Sequence, residues 1–407
     1  MIAREAAYLA LLASLRQEQF IMHSLASWQK ADRPTVQDFA FAHEIATGTA
    51  RMALSLDYIA EQLSTSKKLN LKLKERALLR TAIYQYHFMQ KVPLYAIVNE
   101  TIEIAKKYCH QTFVSFLNAL LRHLGTKAPS LPSGNTPEEL SIRYSYPLYF
   151  IKILIADYGL EESERILAAG NLPSKTMVRV RPGVDINAQA FNFLSPLKET
   201  GVPVAILNTA SSLSAIAAMP EVYIQNATSV ALVAELAAKQ PTAPTRILDL
   251  CASPGGKLLA VHDLFPQADL YANDLTVDKV MRLSQNLAKY GVKADLTCGP
   301  GEEYSAANLF DIIILDVPCS NSGVLNKRTE ARWRLTDEAL GALHKKQIAL
   351  IEHAATLLAP GGVIWYITCS ILKTENDALL AYASKQCGLT MEYQRTILPN
   401  TDGGYFR

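Results

Sequence analysis

The stretch Ile247-Leu-Asp-Leu-Cys-Ala-Ser-Pro-Gly-Gly-Lys257 decides the fold expected for the second half of this 407-residue chain. Its apolar start predicts a strand, Pro-Gly-Gly predicts a tight turn, and a helix is expected from Gly256 onwards. Glycine lets the backbone approach a ligand closely, and a helix N-terminus favours polar or anionic groups. The stretch therefore predicts either an ordinary strand-to-helix turn or one that binds a ligand.

Strand-like apolar runs and helical stretches alternate around this turn, from Arg246 towards the end of the chain. The predicted strands are Arg246–Leu250, Ala268–Asn273, Lys293–Thr297, Phe310–Leu315, Val363–Thr368 and Leu389–Arg395. The predicted helices are Gly256–Phe265, Val277–Tyr290, Thr336–Leu358 and Glu375–Lys385. This alternation predicts an α/β fold with a mostly parallel, doubly wound sheet.

Carboxylates and thiols follow the predicted strands. Asp274 ends the second strand, 19 positions after Gly255, where nucleotide-binding folds place a carboxylate for ribose hydroxyls. Asp316 ends the fourth strand and is followed by Val-Pro-Cys319, and Cys369 follows the fifth strand. Ligands bind at the carboxyl ends of strands in open α/β sheets, so two cysteines on that edge suggest thiol chemistry. The pattern G-x-G-x-x-G is missing, which counts against a nicotinamide oxidoreductase.

The other cysteines favour a structural interpretation. Cys109, Cys298 and Cys387 are expected to be small buried hydrophobic residues. The six cysteines of the chain include no Cys-x-x-Cys pair, so a structural zinc site and a disulfide scaffold are both poorly supported. His344 and His353 lie nine positions apart on a predicted helix, a spacing that does not suit a metal site. Free thiols in a reducing cytoplasm are the expected state.

The composition is that of a globular chain. Hydrophobic residues make up 49% and charged residues 19%, which excludes disordered, collagen-like and coiled-coil classes. At about 100–200 residues per domain, two or three domains are expected. The chain has no run of about 18 uninterrupted apolar residues, and its start lacks the pattern of a signal peptide. We therefore expect a cytoplasmic protein without a membrane segment.

The first 127 residues follow a helical pattern, with apolar residues at spacings of three, four and seven. Leu73–Met89, Asn99–Lys107 and Phe113–Leu124 are among the predicted helices, and together they predict an all-α domain. This region carries 16 Lys and Arg against 10 Asp and Glu, whereas residues 128–407 carry 24 against 28. A basic helical domain could bind a phosphate backbone or could simply present a solvated surface.

A linker and a small connector separate the two halves. Residues 125–137 are rich in Gly, Pro, Ser and Thr, which is typical of a linker. Predicted helices at Glu138–Ile142, Pro147–Tyr158 and Glu161–Ala169 precede short strands at Met177–Arg181 and Tyr223–Ile224. The sequence therefore predicts a helical domain over 1–127, a small α/β connector over 138–235 and the main α/β domain over 236–407.

The segment Asn326–Arg334 carries four basic residues and Trp333. Because it follows the fourth strand, it could contact phosphates or stack on bases. A solvated loop is an equally simple interpretation, and the sequence leaves both open.

Three motifs of the main domain resemble those of the RNA (cytosine-5) methyltransferases of the Nop/Sun family. They are Cys251-Ala-Ser-Pro-Gly-Gly-Lys257, Asp316-Val-Pro-Cys319-Ser and Thr368-Cys369-Ser370. The first domain resembles the NusB-like RNA-binding domain in Tyr84-Gln85, Pro93, Val98-Asn-Glu100-Thr and Phe116-Leu-Asn118-Ala-Leu-Leu-Arg122. The resemblance spans almost the whole chain. The pairing of the two domains implies a bacterial-type enzyme that methylates small-subunit (16S) ribosomal RNA.

The resemblance also implies a Rossmann-like class I methyltransferase domain with S-adenosylmethionine as its cofactor. Cofactor contacts would come from Cys251, Ala252, Ser253, Pro254, Gly255, Gly256 and Lys257. Asp274 would bind the ribose, and Asp316 would face the methionine or the target base. Cys369 would add to C6 of cytosine so that C5 can accept a methyl group, and Cys319 would help to release the product. We expect a monomer that needs neither a metal nor a membrane.

Two departures from the family pattern bear on the cofactor. The usual Gly-Asp-Gly after the third strand is Gly299-Pro300-Gly301 here, which removes one expected cofactor contact unless Glu302 or Glu303 replaces it. The usual upstream Gln-Asp is Gln225-Asn226. Pro300 is the best support for an alternative, in which the chain is a non-catalytic RNA-binding or assembly factor with a vestigial cofactor site. Because both motif cysteines are present, we expect activity.

Overall fold

The computed structural model of this chain describes residues 1–64, 68–185, 194–196, 203–207 and 213–399. The chain divides into two compact units. One contains Met1–Asn171 together with Lys327–Thr336, and the other contains Leu172–Asn326 together with Asp337–Arg407. The first is called the helical unit here and the second the sheet unit. The α/β class, with an all-α first domain and a small α/β connector, is confirmed.

The described part of the helical unit contains nine α-helices, and the first seven of them share one apolar core. They are α1 (Ala3–Leu15), α2 (Ile21–Asp32), α3 (Val36–Arg51), α4 (Ala53–Leu63), α5 (Leu73–Phe88), α6 (Leu94–Tyr108), α7 (Gln111–Arg122), α8 (Pro137–Tyr144) and α9 (Leu148–Ala169). Side chains from successive helices, such as Tyr8, Ile45, Leu56, Ile83 and Leu117, are buried together. The helical spacing of apolar residues thus produces the bundle that it predicts.

Local signals set several helix boundaries. Thr136 caps α8, because its hydroxyl accepts a hydrogen bond from the Glu139 amide while the Glu139 carboxylate accepts one from the Thr136 amide. In α9 the backbone of Gly159 is left-handed, with φ of 76°, which divides the helix where the sequence predicts two. Tyr84 is buried against Gly48, where an added Cβ would lie 2.0 Å from the Tyr84 ring. Tyr84 therefore belongs to the bundle core.

The segment Lys327–Thr336 belongs to the helical unit, although it follows the fourth strand of the sheet unit in sequence. Arg332 is 0% exposed. Its guanidinium donates to the carbonyl oxygens of Arg51, Ser145 and Gly170 at 2.9, 3.1 and 3.3 Å. These carbonyls lie at the C-terminal ends of α3, α8 and α9, where unpaired carbonyls and the helix dipoles favour a cation.

Both interpretations of this segment from the sequence are therefore wrong for Arg332. Trp333 is also engaged, since its indole Nε1 donates to the carbonyl oxygen of Ala50 at 2.8 Å. Glu330 accepts hydrogen bonds from the Ser14 hydroxyl at 2.6 Å and from the Ile21 amide at 2.8 Å. These partners are far away in the sequence. Gly170 lies 162 positions before Arg332, and Ser14 lies 316 positions before Glu330. A local pattern of basic residues cannot reveal such partners.

In its described residues, the sheet unit contains two sheets. A small antiparallel sheet has the order β2-β3-β1-β4 and is formed by β1 (Met177–Val180), β2 (Leu194–Pro196), β3 (Val204–Leu207) and β4 (Val222–Ile224). Helix α10 (Leu213–Ala218) precedes β4, and α11 (Ala227–Ala238) follows it. This small sheet provides the α/β connector.

The larger sheet is parallel throughout its five described strands and has the order β7-β6-β5-β8-β9. Its strands are β5 (Arg246–Asp249), β6 (Asp269–Asp274), β7 (Asp295–Cys298), β8 (Phe310–Asp316) and β9 (Leu358–Ile367). Its helices are α12 (Gly256–Leu264), α13 (Val277–Lys289), α14 (Asp337–Thr356) and α15 (Asp377–Gln386). The strand order reverses direction at β5, and ligands of open α/β sheets bind at such a point.

Both faces of the larger sheet are covered. Ile312 and Ile314 of β8 pack with Leu258 of α12 and Leu283 of α13. Ile313 and Leu315 point into the opposite core with Leu350 of α14 and Leu379 of α15. A strand buried on both faces requires an uninterrupted apolar run, which is what residues 312–315 supply.

The predicted strand Leu389–Arg395 is wrong, because no strand forms over these residues, all of which the structure describes. Their side chains are used in another way. Arg395 Nη1 lies 2.6 Å from Glu235 Oε2 on α11, and Tyr393 also donates to Glu235. A cavity of about 570 Å³ is lined both by this segment and by β9. The alternating pattern therefore reflects contacts with a helix rather than pairing with a strand.

Within the described ranges, no helix is both long enough and apolar enough to cross a bilayer. The same part of the chain contains no group of three or more His, Cys, Asp and Glu residues that could hold a metal ion. His353 Nε2 lies 2.7 Å from the carbonyl oxygen of Tyr304, so this histidine packs against its own unit.

Candidate functional site

The turn after β5 brings backbone groups to the start of α12. Gly255 has φ of 103° and is the N-cap residue of α12, a conformation that side-chain-bearing residues rarely adopt. A Cβ on Gly256 would lie 2.9 Å from the Tyr223 ring and 3.3 Å from Gln225 Nε2. The connector residues Tyr223 and Gln225 therefore pack directly against the turn. Glycine is required here for close packing as well as for the backbone conformation.

Asp274 joins the turn to the end of the neighbouring strand. Its side chain is 3% exposed, and its carboxylate accepts hydrogen bonds from the Ser253 and Leu275 amides at 2.9 and 2.7 Å. Lys279 Nζ lies 2.8 Å from Asp274 Oδ1. A carboxylate has about four lone-pair positions, so these three donors leave one acceptor position. The structure thus brings Asp274 and the Cys251–Lys257 turn together.

Lys257 and Asp316 form an ion pair between the turn and the end of β8. Lys257 Nζ lies 2.5 Å from Asp316 Oδ2, and the two side chains are 15% and 35% exposed. Asp249 lies near this pair at the end of β5 and is 1% exposed. Burial, reinforced by the charge of Asp316 and opposed by Lys257, raises the pKa of Asp249 to about 7.

The two motif cysteines meet although they follow different strands. Cys319 Sγ lies 2.8 Å from Cys369 Sγ, and Cys369 Sγ donates to Asn321 Oδ1 at 3.2 Å. The hydrogen bond with Cys369, together with burial, raises the pKa of the Cys319 thiol well above its usual range. Cys319 is therefore held as a neutral thiol, whereas Cys369 is only partly buried.

A third cysteine, Cys251, lies in the turn after β5. Burial and the nearby Asp249 carboxyl raise its pKa to about 12. The thiolate is the reactive form of cysteine, so this thiol is unsuited to act as a nucleophile at neutral pH.

The cavity of about 570 Å³ is lined by Lys257, Asp316 and Cys369. Among the described residues, neither Asp274 nor the turn residues before Lys257 line it. The predicted cofactor residues and the cavity therefore occupy neighbouring positions, and the Lys257–Asp316 pair borders both. This arrangement separates the turn after β5 from a cavity that reaches a thiol.

The two segments that depart from the family pattern, and the residues beside them, make contacts within the sheet unit. Glu302 forms an ion pair with Lys346 of α14, and Glu303 is exposed. The amide of Asn273 donates to the Gly299 carbonyl oxygen at 3.0 Å and to that of Leu250 at 3.3 Å. Asn273 thus fixes the Gly299–Gly301 turn against the turn after β5. Asn226 caps α11 through the Thr228 amide at 3.4 Å.

The connector also holds the far end of α12. Arg179 of β1 forms an ion pair with Asp263 near the end of that helix, and Arg181 Nη2 lies 2.9 Å from Asp263 Oδ1. Arg179 Nε also donates to Gln225 Oε1 at 3.1 Å. The helix that begins at the turn is therefore fixed by the connector at both of its ends.

Glu375, Asn321 and the serines that follow the cysteines belong to the site, although the sequence assigns them no role. Glu375 is 1% exposed and accepts hydrogen bonds from Ser320, Gln347 and Ser370. The sequence places Glu375 at the start of a predicted helix, where an acidic residue is explained by the helix dipole. In the structure, α15 begins at Asp377, so that explanation does not hold. The only indication in the sequence was that a serine, Ser320 or Ser370, directly follows each motif cysteine.

Comparison with known proteins identifies two families along the chain. Residues 236–397 match the family model described as 16S rRNA methyltransferase RsmB/F, and residues 1–125 match the NusB family. Ribosomal RNA small subunit methyltransferase B of Klebsiella pneumoniae is 28% identical over 359 residues, covering 85% of this chain and 81% of the relative. A Bacillus subtilis protein named probable ribosomal RNA small subunit methyltransferase B is 27% identical, covering 91% of this chain and 86% of the relative.

A solved structure supports the fold over almost the whole chain. The crystal structure of PH0851 covers 98% of this chain and 94% of its own, with a TM-score of 0.77 and 20% sequence identity. At this identity the similarity establishes the arrangement of helices and strands and carries no statement about activity.

Proposed function

We propose that this chain methylates C5 of a cytosine in small-subunit (16S) ribosomal RNA, since residues 236–397 match the RsmB/F methyltransferase family model and residues 1–125 match the NusB family. S-adenosylmethionine is the methyl donor, and Cys369 forms a covalent bond to C6 of the base during the reaction. Residues 1–127 form the RNA-binding domain, residues 138–235 form the connector between the two domains, and residues 236–407 form the catalytic domain. The working unit is a monomer in the cytoplasm.

One observation carries this proposal. Two thiols lie 2.8 Å apart at the carboxyl ends of neighbouring strands, and one of them lines a cavity together with Lys257 and Asp316. A pyrimidine needs a covalent addition at C6 before its C5 becomes nucleophilic, which explains a thiol at this place. A second thiol in contact supports the release step.

The residues around the turn fit the proposed cofactor. Asp274 retains one acceptor position for a ribose hydroxyl, and Gly255 and Gly256 keep the backbone open at the start of α12. When bound, S-adenosylmethionine supplies an electrophilic methyl group on a sulfonium. Lys257 lies at the end of the same motif and reaches Asp316, so the pair lies between the cofactor residues and the cavity.

The chemistry of the chain's own residues follows from these positions. The Cys369 thiolate forms a bond to C6 of cytosine, and the electron pair of the 5,6 double bond moves to C5. That pair would bond to the methyl carbon of the donor, whose sulfur would leave as the thioether of S-adenosylhomocysteine. A base then removes the C5 proton, the 5,6 double bond re-forms and the Cys369 thiolate leaves. Asp316 polarises the cytosine ring, and Lys257 lines the same cavity as Cys369. Cys319, held as a neutral thiol, assists the release.

The target base must be unstacked to reach this cavity, because C6 and C5 are covered in a helical stack. The family of the first domain supports RNA binding there, and its excess of Lys and Arg suits a phosphate backbone. The helical unit therefore supplies affinity, while the sheet unit supplies the reaction.

The test is methylation of a small-subunit ribosomal RNA transcript, mapped by bisulfite sequencing. Wild-type protein with S-adenosylmethionine should protect one or a few cytosines from conversion, and Cys369→Ala should abolish this protection. Full activity of Cys369→Ala would show that the nucleophile is assigned wrongly.

The replacement of the usual acid by Pro300 favours one alternative, a non-catalytic RNA-binding factor. Calorimetry with S-adenosylmethionine separates the two functions. Binding at micromolar to low millimolar cofactor supports the enzyme, whereas no measurable heat at millimolar cofactor supports the RNA-binding factor.

A further inference from the structure

Glu375 is a buried carboxylate that the proposed reaction does not use. Its Oε1 accepts hydrogen bonds from the Ser320 amide and from Gln347 Nε2, both at 2.9 Å. Its Oε2 accepts one from the Ser370 hydroxyl at 2.5 Å. Glu375 is 1% exposed and Gln347 is 0% exposed, so these bonds are shielded from water.

The partners of Glu375 lie on the two cysteine loops. Ser320 directly follows Cys319, and Ser370 directly follows Cys369. One carboxylate therefore holds each loop at a point one residue away from its thiol. Gln347, on α14, also donates to the Pro318 carbonyl oxygen at 2.9 Å, which fixes the other side of Cys319.

Further hydrogen bonds connect the two loops around this carboxylate. The hydroxyl of Ser370 lies 3.1 Å from that of Ser320 and 2.9 Å from that of Ser322. Ser322 in turn accepts a hydrogen bond from the Ile371 amide at 2.9 Å. Ser320, Ser322 and Ser370 are all buried. The loops are therefore joined by a fully buried polar network in which Glu375 carries the charge.

A buried carboxylate is costly unless its hydrogen bonds replace water. Among the residues that the structure describes, no Lys, Arg or His forms an ion pair with Glu375, and three neutral donors stabilise it instead. Hydrogen bonds to a charged acceptor are stronger and shorter than neutral ones. They fix the two loops more firmly than serine–serine contacts alone would.

We propose that Glu375 is a positioning residue that keeps the Cys319 and Cys369 thiols at contact distance, an inference that rests on the function proposed above. Without this carboxylate, the Ser320 amide and the Ser370 hydroxyl lose their common partner, and the two loops are free to move apart. The thiols then spend less time in contact, so the release step that uses both of them slows. Binding of RNA and cofactor does not involve Glu375.

The first measurement follows the thiol pair directly. Diamide takes two hydrogens from two neighbouring thiols, which leaves a disulfide and the reduced hydrazine form of the reagent. The rate of Cys319–Cys369 disulfide formation, followed by peptide mass mapping, reports how often the two sulfur atoms meet. For Glu375→Gln, we expect this rate to fall by about tenfold, since small misplacements have large effects on reactions between positioned groups.

Asp311→Asn is the matched control. The Asp311 carboxylate also accepts three hydrogen bonds, from the Thr245 amide and hydroxyl at 2.7 Å each and from the Arg246 amide at 3.0 Å. Asp311 lies at the start of β8, at the opposite end of the strand from Asp316. This variant loses comparable bonds in the same unit, and it should form the disulfide at the wild-type rate.

The second measurement is steady-state methylation. Glu375→Gln should lower kcat by about tenfold or more, while KM for RNA and for S-adenosylmethionine stays within about twofold of wild type. A general loss of structure would instead raise KM or lower the fraction of folded enzyme, which circular dichroism detects.

A disulfide rate for Glu375→Gln within about threefold of wild type would overturn the proposal. If that variant does not fold at the assay temperature, Glu375→Asp decides under the same threshold, because it keeps the charge but shortens the side chain, so that one carboxylate no longer reaches both Ser320 and Ser370. The diamide measurement needs neither RNA nor cofactor. Failure of the wild-type protein to methylate RNA would therefore contradict the proposed function without deciding the role of Glu375, which the disulfide rate decides.

Discussion

Cys319 and Cys369 have their sulfur atoms 2.8 Å apart, although 50 residues separate them along the chain. The register of the sheet produces this contact, because β8 and β9 are parallel neighbours in which Asp316 pairs with Ile367. Each cysteine follows its strand by two or three residues, so both loops leave the sheet at the same edge. The relationship is therefore a property of strand order rather than of the cysteine motifs alone.

Replacement of Cys319 should trap the reaction part-way. In Cys319→Ala, the bond between Cys369 and C6 can form, but the thiol that assists release is missing. We expect a covalent protein–RNA complex that survives denaturing electrophoresis when RNA and S-adenosylmethionine are supplied. The double variant Cys319→Ala/Cys369→Ala should form no such complex. A trapped complex in that double variant would place the covalent bond on another residue.

Asp249 should make the protein less stable as the pH rises. Its pKa is raised to about 7 in the folded state by burial, so the folded protein holds this proton at a pH where the unfolded chain has lost it. Linkage then lowers the free energy of unfolding as the pH rises from about 4 to about 7, by an amount on the order of a few kcal/mol.

Asp249→Asn removes this titration and keeps an oxygen acceptor for the Cys251 amide. Its melting temperature should exceed that of the wild type at pH 8 and should approach it near pH 4, where Asp249 is protonated in the folded state and about half protonated in the unfolded chain. Calorimetric melting across this range checks the sign. A difference that is larger at pH 4 than at pH 8 would contradict the protonated state of the buried carboxyl.

Arg332 should matter more for stability than any exposed residue of its segment. Arg332→Met leaves the carbonyl oxygens at the ends of α3, α8 and α9 without their donor. The expected loss in the free energy of unfolding is about 3–5 kcal/mol. Arg328→Met, an exposed position in the same segment, is the control and should change stability by less than about 0.5 kcal/mol. Denaturant unfolding of the full chain measures both.

Gly255→Ala should strain the turn after β5 and weaken cofactor binding there. The backbone at Gly255 has φ of 103°, and an added Cβ would lie 2.8 Å from Leu283 Cδ1. The turn must shift, at a cost of about 1–2 kcal/mol, which corresponds to roughly a tenfold or larger loss of affinity for S-adenosylmethionine by calorimetry. Gly341→Ala is the control and should leave the affinity unchanged, because an added Cβ there has no atom within 4 Å and the backbone is not left-handed. Unchanged affinity in Gly255→Ala would remove the turn from the binding site.

Much of the fold could be predicted because its signals are local. Residues 312–315 form an apolar run because both faces of β8 are covered, and Gly159 marks the break in α9. The turn after β5 and the cysteines after β8 and β9 were also predictable, since parallel strands end at one edge of a sheet.

The remaining features depend on partners far away in sequence. Glu375 looks like an ordinary first-turn residue of a helix, and its role depends on two loops and on Gln347. The alternation in Leu389–Arg395 is typical of a strand, yet Tyr393 and Arg395 contact Glu235 on α11 instead. Local pattern cannot distinguish a strand partner from a helix partner.

The position of Lys327–Thr336 in the helical unit limits how such a protein can be rearranged during evolution or by design. The gene for a simple two-domain chain can be cut at one linker, and a new RNA-binding module can be fused to its catalytic half. Here a transplanted module would also need a receptor for Arg332, formed by the ends of three helices. Exchange of the first domain therefore requires two coordinated changes, one in the helical residues that precede the sheet and one in the segment between β8 and β9.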